Sequence, residues 1–279
     1  MVKIITDSAS DLENYELEKL NVASVPMPVM FGETEYIPNE NMSKDEFYEM
    51  LQKEKKFPKT SQPAPSVLMD VFQEAKDNGD ELVYITLSSA LSGTYNSAVL
   101  TKDIIDYEKC YIVDSLSATA GERIMVDIAV KLRDEGKNGA EIAHTLNELR
   151  DRILIYACVD NLEYLHKGGR ISAAAYAFGT IANVKPIISV TENGKVEVPS
   201  KVMGVGKAVK YICNQLEDEE PDSDYPMYVV YTHERTNAEK LVKKLDDYGI
   251  TEDNLTNIGA TIGTHVGIGA FGVAYVRKM

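Results

Sequence analysis

The stretch Leu87-Ser88-Ser89-Ala90-Leu91-Ser92-Gly93-Thr94-Tyr95-Asn96-Ser97-Ala98 gathers hydroxyl side chains around a glycine. The apolar run before it, Leu82-Val83-Tyr84-Ile85-Thr86-Leu87, reads as a buried strand. After it, Tyr95, Ala98, Val99, Ile104 and Ile105 resume a helix-like apolar pattern. The hydroxyls therefore sit where a strand turns into a helix. There the first backbone N–H groups of the helix lack internal partners and favour an anion. Ser88, Ser89, Ser92 and Thr94 add neutral donors, and Gly93 lets a ligand approach the backbone. The same residues also read as an ordinary serine-capped helix after a polar turn.

Two more polar corners follow strand-like runs: Asp7-Ser8 after Val2–Thr6, and Asp114-Ser115 at the end of Lys109–Asp114. Asp7 and Ser8 equally suit helix capping. Phe57-Pro58-Lys59-Thr60-Ser61-Gln62-Pro63-Ala64-Pro65 holds two adjacent hydroxyls in a backbone that its prolines keep extended. It reads as a rigid linker or as a mount for Thr60 and Ser61. Residues 258–272 hold five of the chain's 18 glycines, with Thr264 and His265 in their midst. Such density implies close backbone approach or repeated positive φ. His265 could donate to an anion there, and would carry positive charge near neutral pH if that anion raised its pKa.

The elements that must position these residues alternate. Residues 1 to about 155 read strand, helix, strand, helix, with capping boxes at Ser43/Glu46 and Asn138/Glu141. This pattern predicts an α/β domain over 1–155, a mostly parallel sheet with helices on both faces. Ligands of such sheets bind beyond the carboxyl ends of the strands, where all three polar corners fall. Residues 156–279 read as a smaller α+β domain, with a hairpin turn at Asn193-Gly194 and a small-residue helix from Ser172 to Ala182. The ligand site is expected between the two domains.

Composition bounds the function. The net charge of −15 over 279 residues argues against nucleic acid or an anionic membrane surface as a standing partner. Three widely spaced cysteines, Cys110, Cys158 and Cys213, fit reduced thiols in a cytoplasmic protein better than a disulfide frame or zinc site. The N-terminus turns polar too soon for a signal peptide, and no apolar run approaches a membrane span. No dinucleotide, P-loop, nucleophile-elbow or zinc-protease motif is present, so no cofactor or metal is expected.

Five segments in order resemble the DegV family: Thr6-Asp7-Ser8-Ala9-Ser10-Asp11-Leu12, Thr60-Ser61-Gln62-Pro63, Ser88-Ser89-Ala90-Leu91-Ser92-Gly93-Thr94, Leu165-His166-Lys167-Gly168-Gly169-Arg170-Ile171 and Ile262-Gly263-Thr264-His265-Val266-Gly267. The resemblance implies a bacterial, non-catalytic carrier that binds a long-chain fatty acid and presents its carboxylate to a separate fatty acid kinase subunit. It places the carboxylate on Thr60, Ser61, Ser92, the backbone at Gly93, and His265. Arg170 would support the interdomain region, with Asp7, Ser8, Ser115 and Thr264 as further supporting positions. Two departures stand out. Ile268 replaces the proline usual after the second glycine of the last motif, in what reads as the loop bearing His265. Met203 stands where kinase-coupled members carry an arginine that meets the kinase, a change that weakens the case for kinase coupling and leaves lipid binding untouched.

Hydroxyls and one histidine suit a carboxylate, at roughly 1.5–3 kcal/mol per charge-assisted hydrogen bond. About 14 buried methylenes would add on the order of 11 kcal/mol before binding costs. Two other readings compete. In one, His265 or Ser92 is the nucleophile of a phosphotransferase or hydrolase, with Asp7 or Asp114 orienting the histidine. In the other, the site takes a small anion without a tail.

Overall fold

Short apolar runs separated by capped helices build the first half. In the computed structural model, which describes residues 1–54, 57–176 and 183–279, β1 (Val2–Asp7) runs through a 3-10 turn into α1 (Asn14–Leu20) and β2 (Val22–Val25). Pro26 and Pro28 end β2, because proline cannot continue a sheet ladder. The chain then makes an excursion. β3 (Val29–Phe31) and β4 (Thr34–Tyr36) form a hairpin, and the Ser43/Glu46 capping box opens α2 (Lys44–Lys53). β5 (Lys59–Thr60) returns to pair with β3. The proline loop is thus partly a strand, not only a linker.

α3 (Pro65–Asp77), β6 (Glu81–Thr86), α4 (Thr94–Ile105), β7 (Cys110–Asp114), α5 (Ala120–Asp134) and α6 (Gly139–Leu149) complete the alternation. The four strands order as β2-β1-β6-β7, all parallel.

The second half contains β8 (Ile153–Cys158), α7 (Glu163–Lys167), α8 (Ala173–Tyr176), β9 (Val184–Val190), β10 (Val196–Met203) and α9 (Gly204–Asp218), then β11 (Tyr228–Tyr231), α10 (Thr236–Val242), β12 (Leu255–Asn257), α11 (Ala260–Val266) and β13 (Phe271–Val276). Its sheet orders as β10-β9-β8-β13-β11-β12, antiparallel except for the β11/β12 pair. The expected boundary at residues 155/156 falls inside β8, whose partners β9 and β13 both belong to this second sheet. The chain therefore leaves the parallel sheet before Ile153. The expected small-residue helix is described only over α8, and its remainder lies outside the described residues.

The two sheets share one helix. α5 is buried along nearly its whole first three turns and packs against β1 and β6 on one side and β8, β11 and β13 on the other. Ile4, Val83, Ile124, Ile155 and Val230 accordingly belong to one continuous core. α3 and α4 cover the far face of the parallel sheet through Leu68, Phe72 and Ala98, and α9 and α10 cover the far face of the second sheet through Ile212 and Leu241. The excursion forms its own cluster of Val29, Phe31, Phe47 and Tyr48 around Ala260 of α11. No helix among the described residues is long and apolar enough to cross a membrane.

Candidate functional site

Alternation in the second sheet turns one set of side chains toward α5 and the parallel sheet. Ile155 and Ala157 of β8, Ile188 and Val190 of β9, and Val230 of β11 line a cavity there, closed from the first half by Met27, Leu87, Leu91 and Ala118. The cavity is narrow, with a volume of about 80 Å³. Five polar residues reach it: Thr60, Thr119, Arg170, Thr261 and His265. Two of them direct their hydroxyls elsewhere. Thr119 Oγ1 donates to Asp11 Oδ2 at 2.5 Å, and Thr261 Oγ1 pairs with Ser8 Oγ at 2.9 Å. The polar character of the cavity is left to Thr60, Arg170 and His265.

His265 rides on α11, not on a loop. The glycine-rich run is helical because Gly263 lets the helix lie against the excursion, where an added Cβ would stand 2.7 Å from Phe47 and 2.8 Å from Tyr48. Ile268, in the proline's place, packs onto the same aromatic cluster. His265 Nε2 pairs with Thr60 Oγ1 at 2.8 Å. Thr60 is fixed in turn by β5, which pairs Thr60 with Val29, while Ser61 N–H donates to Pro28 O at 2.9 Å. The other ring nitrogen, Nδ1, is buried without a hydrogen-bond partner. It faces Gly168 so closely that a Cβ there would stand 2.2 Å away.

Arg170 follows two residues later. Its Nε donates to Leu91 O at 3.1 Å and its Nη1 to Gly168 O. Burial, and then the Arg170 charge, push the His265 imidazole down to about 3. These surroundings favour the neutral ring, while the positive charge read from sequence was conditional on a bound anion; the cation beside the ring is Arg170.

The remaining sequence candidates are placed as follows. Ser61 is exposed. Ser92 Oγ pairs with Thr94 Oγ1 at 2.8 Å at the start of α4, and the Gln62 side chain lies over Gly93. Each adjoins a cavity-lining neighbour, Thr60 or Leu91, without lining the cavity itself. Ser88 Oγ donates to Gly194 O at 2.8 Å, so the hairpin turn of the second sheet docks on the serine corner. Ser115 Oγ donates to Ser117 O at 3.2 Å, and Thr264 Oγ1 to Ala260 O at 2.8 Å. Asp7 is buried, accepting from Leu87 N–H at 2.8 Å and Ala9 N–H at 2.9 Å, and burial raises its carboxyl to about 7. Asp114 Oδ1 accepts from the N–H groups of Ser89 and Leu116. Neither carboxylate orients His265, so the histidine-based nucleophile set drawn from sequence is not assembled.

Among the described residues, no group of three or more His, Cys, Asp or Glu side chains is placed to hold a metal ion. The apolar walls of the cavity escaped sequence reading, since the alternation of Ile155, Ala157 and Val159 marks a buried face without saying what it faces.

A family model described as DegV, an uncharacterised protein family, matches residues 1–278. A DegV domain-containing protein of Caldanaerobacter subterraneus subsp. tengcongensis is 32% identical over 279 residues, covering 99% of both chains. Among solved structures, a fatty-acid-binding DegV family protein of Thermus thermophilus is 28% identical with a TM-score of 0.87, covering 99% of both chains. A stearic-acid-binding protein of Eubacterium ventriosum is 28% identical with a TM-score of 0.85, covering 100% of this chain and 99% of its own.

Proposed function

This chain belongs to the DegV family, and from that premise we propose that it binds a long-chain fatty acid as a non-catalytic carrier. One observation carries the reading: a narrow apolar cavity whose available polar groups gather at Thr60, Arg170 and His265. The acyl tail occupies the apolar length, and the carboxylate meets the Thr60 hydroxyl, an imidazole N–H and the Arg170 charge. Ser61, Ser92 and the backbone at Gly93 complete the carboxylate site from the neighbouring loop and helix corner. Relatives of the same fold bind fatty acids, which supports the ligand class.

The division of labour is physical. A neutral imidazole and a hydroxyl orient the head group without the desolvation cost of a second buried charge. The tail supplies most of the affinity, at about 0.8 kcal/mol per buried methylene. Mass spectrometry of lipid extracted from the purified protein tests the reading. A long-chain fatty acid at one per chain is expected. Protein that emerges empty, and stays empty when offered fatty acids, overturns it.

The carrier role extends to presenting the carboxylate to a separate fatty acid kinase subunit. Met203 is 49% exposed at the end of β10, where an arginine would stand in a kinase-coupled member. Met203→Arg is expected to raise acyl phosphate formation when a kinase catalytic subunit and ATP are added. No change would detach kinase coupling from this position.

A further inference from the structure

The entry to α11 is held by the other half of the molecule at three consecutive residues. Lys44 Nζ donates to Asn257 O at 2.9 Å, Tyr48 OH donates to Ile258 O at 2.7 Å, and Gly259 N–H donates to Asp11 Oδ1 at 2.8 Å. All three side chains come from the first half of the chain, and α11 begins immediately afterwards. Asp11 is the hub of this grip. It is 2% exposed, its other oxygen accepts from Thr119 Oγ1, and its backbone carbonyl accepts from the same Lys44 Nζ at 2.7 Å. Asp11 and Thr119 both hold positive φ, +60° and +48°, a conformation that costs free energy in residues other than glycine. Two strained residues bonded to each other, one touching the cavity and one touching the helix entry, fit a site whose geometry is tightly specified.

We propose that Asp11 is a positioning residue for the carboxylate site, fixing the helix that carries His265 against Thr60. The proposal rests on the reading that His265 meets the ligand's carboxylate. Asp11 touches neither the cavity nor the ligand space, and it acts through six residues of helix. Its partners divide the work: Gly263 against Phe47 and Tyr48 sets how closely α11 lies, while Asp11, Lys44 and Tyr48 set its position along its own axis. The charged groups facing Asp11 are Lys44, Glu13, Asp7 and Glu122, and the charged group facing His265 is Arg170.

NMR of protein carrying isotopically labelled histidine, with fatty-acid affinity measured on the same samples, tests this. In the wild type the His265 ring is expected to titrate well below the ordinary histidine range. Asp11→Ala should free α11, return the ring to titration nearer 6.5, and weaken fatty-acid binding about tenfold or more. Asp11→Asn, which can still accept from Gly259 N–H and bond Thr119, should restore both properties. A folded Asp11→Ala protein with unchanged ring titration and unchanged affinity overturns the proposal. If Asp11→Ala does not fold, Lys44→Met and Tyr48→Phe each remove one grip. Both should move the ring in the same direction by less, and no movement in either overturns the proposal. A wild-type protein that binds no fatty acid, but whose His265 ring responds in this way, refutes the ligand reading and leaves the positioning role standing.

Discussion

The serine corner and helix α11 are both polar stretches beside the same cavity, and they use their side chains differently. At the corner, Ser88 is bonded to the Gly194 carbonyl and Ser92 to Thr94, and Asp7 at the neighbouring end of β1 accepts from the N–H groups of Leu87 and Ala9. These groups close their own turn and dock the second sheet. On α11, His265 has one ring nitrogen paired across the interface and the other buried without a partner. The corner is rich in polar atoms with partners already in place. The helix offers fewer, with bonding capacity still open. Open capacity, more than the number of polar residues, marks where a ligand's head group has something to gain.

Burial acts on the two regions with opposite sign, and the largest effect should appear in stability against pH. Asp7 is raised from 3.8 to about 7, so the folded state holds its proton more tightly than the unfolded state. Its contribution is most favourable below pH 3.8 and is lost as pH rises through about 7. His265 is lowered from 6.5 to about 3, so its contribution is complete above pH 6.5 and is lost as pH falls toward 3. Chemical denaturation across pH 4 to 8 should show Asp7→Asn flattening the decline toward neutral pH, on the order of a few kcal/mol. His265→Gln should flatten the opposing slope on the acid side. Equal slopes in both variants would break the contrast.

Binding should separate the regions next. His265→Ala is expected to weaken fatty-acid affinity about ten- to hundredfold by calorimetry, the worth of one or two hydrogen bonds to a charged group. The smallest change is expected for Ser92→Ala, about threefold, because its hydroxyl already has Thr94 as a partner. Equal losses in the two variants would place the corner on the same footing as the helix. Unchanged affinity in both would move the carboxylate elsewhere.

Much of the first half was legible in the chain. The runs Val2–Thr6, Leu82–Leu87 and Lys109–Asp114, each within a residue of an observed strand at either end, and the capping boxes at Ser43 and Asn138 express local preferences that the fold keeps. The Asn193-Gly194 hairpin was equally plain, with Gly194 at φ +71°. Two things were hidden. The helical state of 260–266 was masked by the surrounding glycines, of which Gly263 serves close packing against Phe47 and Tyr48, a tertiary fact that no local pattern encodes. The neutrality of His265 was hidden because its surroundings come from Thr60, Gly168 and Arg170, all distant in sequence. Asp11 lay in plain view inside the first motif, yet its partners Thr119 and Gly259 are also far along the chain.

The strand order of the second sheet sets a timetable. β13 lies in the middle of that sheet, pairing Phe271 with Cys158 on one side and with Tyr231 on the other, yet it leaves the ribosome after every strand it joins. Until it emerges, β8 and β11 each present an unfilled edge, the condition under which strands pair with the wrong neighbour. The loop between β8 and β13 must also be closed against its entropy before those contacts return anything. Val230 of β11 and Ile155 of β8 line the same cavity wall but are joined only through β13, so that wall closes only once β13 has been made.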